Sequence, residues 1–277
     1  MVNPLVPLID IVFQIFLIFF FLRIFINQSD ARQNQVFAAI AQVTEPVLSK
    51  TRMFFRYRSS HYDLSPLLPL LLLLVAEGFI MGVLNPATIG QGVFHVLSSF
   101  LNWLFQVYAV IIIVTSLTPG YVANPIVSFF MKVSEPLVNL TRKVIVFRSN
   151  GWRFLSLISL VVLFVLLQSC VAFIVSLGSD FGVGVLFFFL ANSLGLLVQL
   201  TTFFTIIIIV GALMSWFSPD HSNPLVQFIT IVTSPIMSPI QRIMPNLGGI
   251  DISPLIAIFL LQFLNGLGNA LVNSIVL

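Results

Sequence analysis

A chain of 277 residues in which 58% are hydrophobic and only 8% charged, with a mean hydropathy of +1.10, cannot be an ordinary water-soluble domain. It has to be solvated by lipid. The net charge of +3 is small and says less than its placement, and a single cysteine, Cys170, excludes an intrachain disulfide.

Met1-Val2-Asn3-Pro4 carries neither a basic n-region nor a small-residue cleavage motif, so the first apolar run is expected to be a permanent span. That run, residues 5–25, is long enough at about 1.5 Å per residue to cross a hydrocarbon core of about 30 Å. A segment from Asn34 to Arg58 follows, with apolar residues at Val36, Phe37, Ile40 and Val43 in helical spacing and Lys50, Arg52, Arg56 and Arg58 in its second half. It reads as an amphipathic helix lying on the membrane surface. The second span is expected at 64–84 and the third at 97–117, joined by a connector, Asn85 to His95, without lysine or arginine. A second basic loop carries Lys132, Glu135, Arg142, Lys143, Arg148 and Arg153. The fourth span is placed at 154–177. Phe181 to Leu196 is apolar, broken by glycine and too short to cross alone, so it reads as a buried or interfacial lead-in to a fifth span at 197–217. The sixth is placed at 252–274.

The chain repeats itself. Asn124-Pro125 precedes Glu135-Pro136 by the interval that separates Asn223-Pro224 from Ser234-Pro235, and Asn34-Gln35 precedes Glu45-Pro46 by the same interval. Downstream, Asp63-Leu64-Ser65-Pro66 matches Asp251-Ile252-Ser253-Pro254, while the middle copy keeps only Phe154-Leu155-Ser156-Leu157. A proline after Asn, Ser or Glu suits the first residue of a helix, so each pair is expected to start one, Glu45-Pro46, Glu135-Pro136 and Ser234-Pro235 included. Three units follow, 1–90, 91–180 and 181–277, the middle one the most eroded. The expected fold is all-α: a polytopic transmembrane bundle of three two-span repeats with amphipathic interfacial helices.

Met214-Ser215-Trp216-Phe217, Asn223-Pro224-Leu225, the run from Ser238 to Pro245 that contains Arg242, and Gly248-Gly249-Ile250-Asp251-Ile252-Ser253-Pro254-Leu255 resemble the repeat signature of the YggT family. Three such repeats would depart from the one or two that family members carry. The resemblance implies a small integral protein of the bacterial inner membrane or of plastids, with roles linked to osmotic tolerance, membrane-protein or cytochrome assembly, and division or nucleoid organisation. It brings no catalytic residue.

All lysines and arginines fall in the first, third and fifth loops, which orients those loops to the cytoplasm and both termini outward. The basic residues there suit anionic lipid, and they lack the aromatic interleaving of a nucleic-acid platform. His61, His95 and His221 lie in separate loops with no ligand spacing, so no metal, cofactor or catalytic site is expected. Asp63 and Asp251 stand where they would favour a helix start, Arg23 is expected to snorkel to the interface, and Trp103, Trp152 and Trp216 to anchor there. Glu77 is acidic and deep in a span; counting on equally from Pro66, Leu157 and Pro254 reaches Glu77, Gln168 and Asn265, each followed by a small residue, Gly78, Ser169 or Gly266. Asp10 can approach the depth of Glu77. Two functions remain: a scaffold or assembly factor with membrane-protein partners, in which these groups brace the helices, or a small ion channel or transporter using Asp10 and Glu77.

Overall fold

The computed structural model describes residues 5–26, 28–33, 35–53, 63–84, 89–118, 124–144, 152–175, 183–216, 223–243 and 251–276. They form ten helices: α1 (Leu5–Arg23), α2 (Gln28–Gln33), α3 (Gln35–Thr51), α4 (Leu67–Leu84), α5 (Ile89–Leu117), α6 (Pro125–Val144), α7 (Trp152–Val175), α8 (Val183–Trp216), α9 (Pro224–Ile243) and α10 (Ser253–Val276). Among the described residues there is no sheet, only an isolated bridge in which the Asp63 N–H donates to the Ile24 carbonyl at 3.0 Å. The protein is an all-α helical bundle. Four helical stretches, Gly92–Leu117, Leu155–Ile174, Gly184–Ser215 and Ser253–Ser274, are long and apolar enough to cross a membrane, and Leu67–Val83 is a shorter apolar helix.

The chain divides into two compact units, Met1–Leu101 with Cys170–Phe181, and Asn102–Ser169 with Gly182–Leu277. In the first, α1 packs on α4, and α3 lies against both. One face of α3 is buried through Phe37, Ile40, Thr44 and Leu48, at spacings of three and four residues, while Val43 and Val47 stay exposed. The start of α5 crosses α4 closely: a Cβ on Gly92 would sit 2.7 Å from the Gly82 N, so only glycine allows that approach. In the second unit, α8 and α10 form the most extensive helix pair, and α9 packs on both of them and on α6. Phe130 of α6 meets Phe228 of α9 edge to face at 5.4 Å.

Two expectations are corrected here. Residues 181–196 are not a separate lead-in: from Val183 they are the first half of one continuous helix, α8, of 34 residues. Gly184 and Gly195 cost helix propensity but leave every backbone bond of the helix available, and no proline or charge interrupts the run. Likewise α5 begins at Ile89, within the stretch read as a connector.

The central prolines are the third correction. Pro46, Pro136 and Pro235 lie inside α3, α6 and α9 and start no helix. A proline inside a helix removes the donor to the carbonyl four residues back. At Pro235 that carbonyl belongs to Ile231, and the Ser234 hydroxyl donates to it at 3.1 Å. The Thr44 hydroxyl ahead of Pro46 bonds Ile40 O at 2.8 Å, and the Thr233 hydroxyl bonds Ile229 O at 2.9 Å. The Asn-Pro pairs do start helices. Asn124 Oδ1 accepts from the N–H groups of Ile126 at 2.9 Å and Val127 at 3.2 Å, and Asn223 Oδ1 from Leu225 at 2.9 Å. Asn34 lies outside the described residues.

Candidate functional site

Polar chemistry gathers in two kinds of place: at the ends of the apolar helices beside α3, α6 and α9, and deep inside the apolar helices.

In the first repeat the end cluster is a closed ion network. Arg52, just past α3, pairs with Glu45 and, at 3.0 Å, with Asp63. Arg23 Nη2 reaches Glu45 at 3.2 Å, and its Nη1 donates to Ile26 O at 2.6 Å. Arg23 is 5% exposed and paired with the half-exposed Glu45, so its guanidinium turns inward, contrary to the snorkelling expected of it. A cation at the C-terminal end of α1 also meets the negative end of that helix. Asp63 Oδ1 accepts from both the N–H and the hydroxyl of Ser65, at 3.1 and 2.6 Å, fixing the turn into α4. Burial pushes the Asp63 carboxyl up, but the two Ser65 bonds and Arg52 together hold it below the ordinary carboxylate value. Burial likewise disfavours the Arg52 cation, and its bonds to Asp63 and Glu45 outweigh this and raise it.

The last repeat builds the same turn with weaker chemistry. Asp251 Oδ1 accepts from the Ser253 N–H at 2.8 Å, and its Oδ2 from Gln241 Nε2 at 2.9 Å. A bond from the Ser253 side chain is the main cause of its lowered pKa, burial opposes it, and the Ser253 N–H and Gln241 add to it. Ser234 stands where the first repeat has Glu45, and Gln241 where it has Arg52. Arg242, the remaining family-motif cation, is exposed. In the middle repeat Glu135 and Arg142 keep the positions of Glu45 and Arg52, but Phe154 replaces the aspartate. The adjacent Arg153 donates instead to Thr115 O, at 2.9 Å, near the end of α5.

Deep inside the apolar helices several polar residues pair with one another. Glu77, 2% exposed, shares a side-chain hydrogen bond with Asp10 of α1, whose Oδ2 also accepts from Gln14 at 2.8 Å. Gln168 is fully buried and donates to Asn102 Oδ1 at 3.0 Å, an oxygen that also accepts from Asn192 at 3.1 Å. Asn265 is half-buried and donates to the Thr201 hydroxyl at 2.7 Å, while its own oxygen accepts from Asn269. Glu77 Oε2 is buried with no hydrogen-bond partner.

The small residues behind these groups do not act alike. A Cβ on Gly78 would meet Val93 at 3.2 Å, but one on Gly266 would meet nothing within 4 Å. The close approach in the last repeat falls two residues on, where Gly268 faces Val198. Asn102, Asn192 and Thr201 were not singled out in the sequence, although a polar residue deep in an apolar run is the signal that marked Gln168. No group of His, Cys, Asp and Glu that could hold a metal occurs among the described residues.

The family model CCB3/YggT matches residues 2–84 and 180–272, together more than half of the chain. These two regions hold the first and last repeats and leave out the middle one. An uncharacterized protein YggT of Escherichia coli K12 is 32% identical over 147 residues, 51% of this chain and 71% of that protein. An uncharacterized protein of Pseudomonas aeruginosa is 28% identical over 146 residues, with 51% and 71% covered. One from Vibrio alginolyticus is 26% identical over 182 residues, covering 65% of this chain and 96% of its own length. The names of these relatives carry no activity. No solved structure matches.

Proposed function

The chain belongs to the CCB3/YggT family, and from that membership we propose a non-enzymatic scaffold or assembly factor of the bacterial inner membrane. In this reading α1, α4, α5, α7, α8 and α10 cross the bilayer, and both termini lie outside. Helices α3, α6 and α9 lie in the cytoplasmic interface, held to the span ends, and present their free faces to partner membrane proteins. The process served is envelope or osmotic homeostasis, membrane-complex biogenesis or division.

The observation that carries the reading is the pairing of span polar groups. Gln168 and Asn265 each bond to a side chain on a neighbouring helix, as braces do, and the residues left to offer a surface are those of α3, α6 and α9. Segregation of lysine and arginine supports the orientation. Cross-linking and co-purification from native membrane tests the reading. Variants at Glu45-Pro46, Glu135-Pro136 and Ser234-Pro235 should lose partners that wild type retains, while Glu77→Gln retains them; the reverse pattern overturns it. Cysteines placed singly at Ser60, Ser149 and Ser222 in a Cys170→Ser background should resist thiol reagents added outside intact cells. Labelling at any of the three contradicts the orientation.

A second reading rests on the partnerless Glu77 Oε2 beside Asp10. Such a carboxyl pair has the chemistry of a proton or cation site, which would make the protein a small ion channel or transporter.

A further inference from the structure

The three repeats place different charges at one equivalent point. Counting on equally from the central prolines Pro46, Pro136 and Pro235 reaches Arg52, Arg142 and Gln241; counting back equally from Pro66, Leu157 and Pro254 reaches Asp63, Phe154 and Asp251. In the first repeat the cation at this point is neutralised by Glu45 and Asp63. In the last, a neutral amide meets the aspartate. The middle repeat keeps the arginine and lacks the aspartate, and next to the vacated position it adds a second arginine, Arg153.

A polar cavity of about 380 Å³ opens there, lined by Lys132, Arg142 and Arg153 together with Glu135 and Asn139. Its walls carry three cations against one carboxylate. Arg153 is fixed by its bond to Thr115 O through Nη1, a use of one of its five N–H groups, so its guanidinium is a positioned part of the wall. Arg142 is exposed along the cavity rim. Two guanidinium forks and an amide around a polar hollow are a donor set suited to a phosphate, because a fork matches two phosphate oxygens at once.

We propose that the cavity of the middle repeat binds a phosphate group, with Arg142 and Arg153 as its fork donors. The phenylalanine at the place of Asp63 is then what leaves Arg142 to a ligand. A phosphate here can come from an anionic lipid headgroup or from a soluble phosphate compound. The site does not depend on the scaffold reading, since it rests on charges and a cavity within one repeat.

Native mass spectrometry of the full chain in detergent tests it with three probes: inorganic phosphate, phosphatidylglycerol and, as a zwitterionic control, phosphatidylcholine. Wild type should retain phosphatidylglycerol over phosphatidylcholine, or retain inorganic phosphate. Arg142→Gln, which copies the last repeat, should weaken that retention by about tenfold, and Arg142→Glu should abolish it. Retention of phosphatidylglycerol alone identifies a lipid headgroup, and retention of inorganic phosphate alone a soluble ligand; both together show that the group is read whatever carries it. Equal retention of the two lipids without phosphate binding, adducts unchanged in both Arg142 variants, or no adduct at all would overturn the proposal. Arg142 is exposed and lacks the ion pairs of Arg52, so its variants should fold, and circular dichroism verifies this.

Discussion

The first and middle repeats share an arginine at the same point and use it in opposite ways. Arg52 is locked between two carboxylates, and one of them, Asp63, also shapes the turn into α4. Arg142 has Glu135 in its repeat but Phe154 at the place of Asp63, and it lines a cavity. The same side chain thus serves cohesion in one copy and is available to a ligand in the other. The stretch around Arg142 has phenylalanine at the place of the turn's carboxylate, while its Asn-Pro helix start is intact.

The largest expected difference follows from that contrast. Arg52→Ala removes the cation paired with the buried Asp63 and should cost about 1–3 kcal/mol, a range reduced from that of a fully buried pair because Arg52 is 31% exposed. Arg142→Ala should stay within about 0.5 kcal/mol. Thermal unfolding in detergent measures both, and equal losses would break the comparison.

Acid sharpens it. The folded Asp63 pKa is lowered, so its contribution is fully present above the unfolded value of about 3.9 and is lost as pH falls through the lower folded value. Unfolding between pH 5 and 2, on the order of one to two units around that value, should therefore show an acid limb that Asp63→Asn flattens. The middle repeat, with phenylalanine at that position, contributes no such limb. An unchanged limb in Asp63→Asn would assign the acid sensitivity elsewhere.

A smaller effect tests the helix starts. Asn124 is buried and satisfies two amides, so Asn124→Ala should cost about 1–2 kcal/mol; the exposed Asn223 satisfies one, and Asn223→Ala should cost about 0.5–1 kcal/mol. A reversed order would mean that the middle repeat has decayed in its frame as well.

Much of this was legible because capping is local. Asn124-Pro125 and Asn223-Pro224 announce their helices through residues that touch only their own first turns. The central prolines were misread for the same reason: Ser-Pro gives one local signal at a helix start and another meaning inside a helix, where the serine hydroxyl takes the carbonyl the proline cannot serve. At Pro235 the Ser234 hydroxyl held that information. Arg23 was misread because its partner, Glu45, arrives from another helix, and no local rule predicts a pair that tertiary packing makes. Gly195 looked like a break, yet the apolar run on both sides continues α8 through it. The equal spacing of Glu77, Gln168 and Asn265 was readable by counting, but Asn102 and Thr201, which pair with Gln168 and Asn265, needed the fold.

The central claim is that span polar groups brace helices and do not conduct. Proton flux into proteoliposomes, followed with a lumenal pH dye for wild type and for Asp10→Asn with Glu77→Gln, tests it most directly. The account predicts the same background flux in both. Flux in wild type that the double variant abolishes, with both proteins folded, would contradict it.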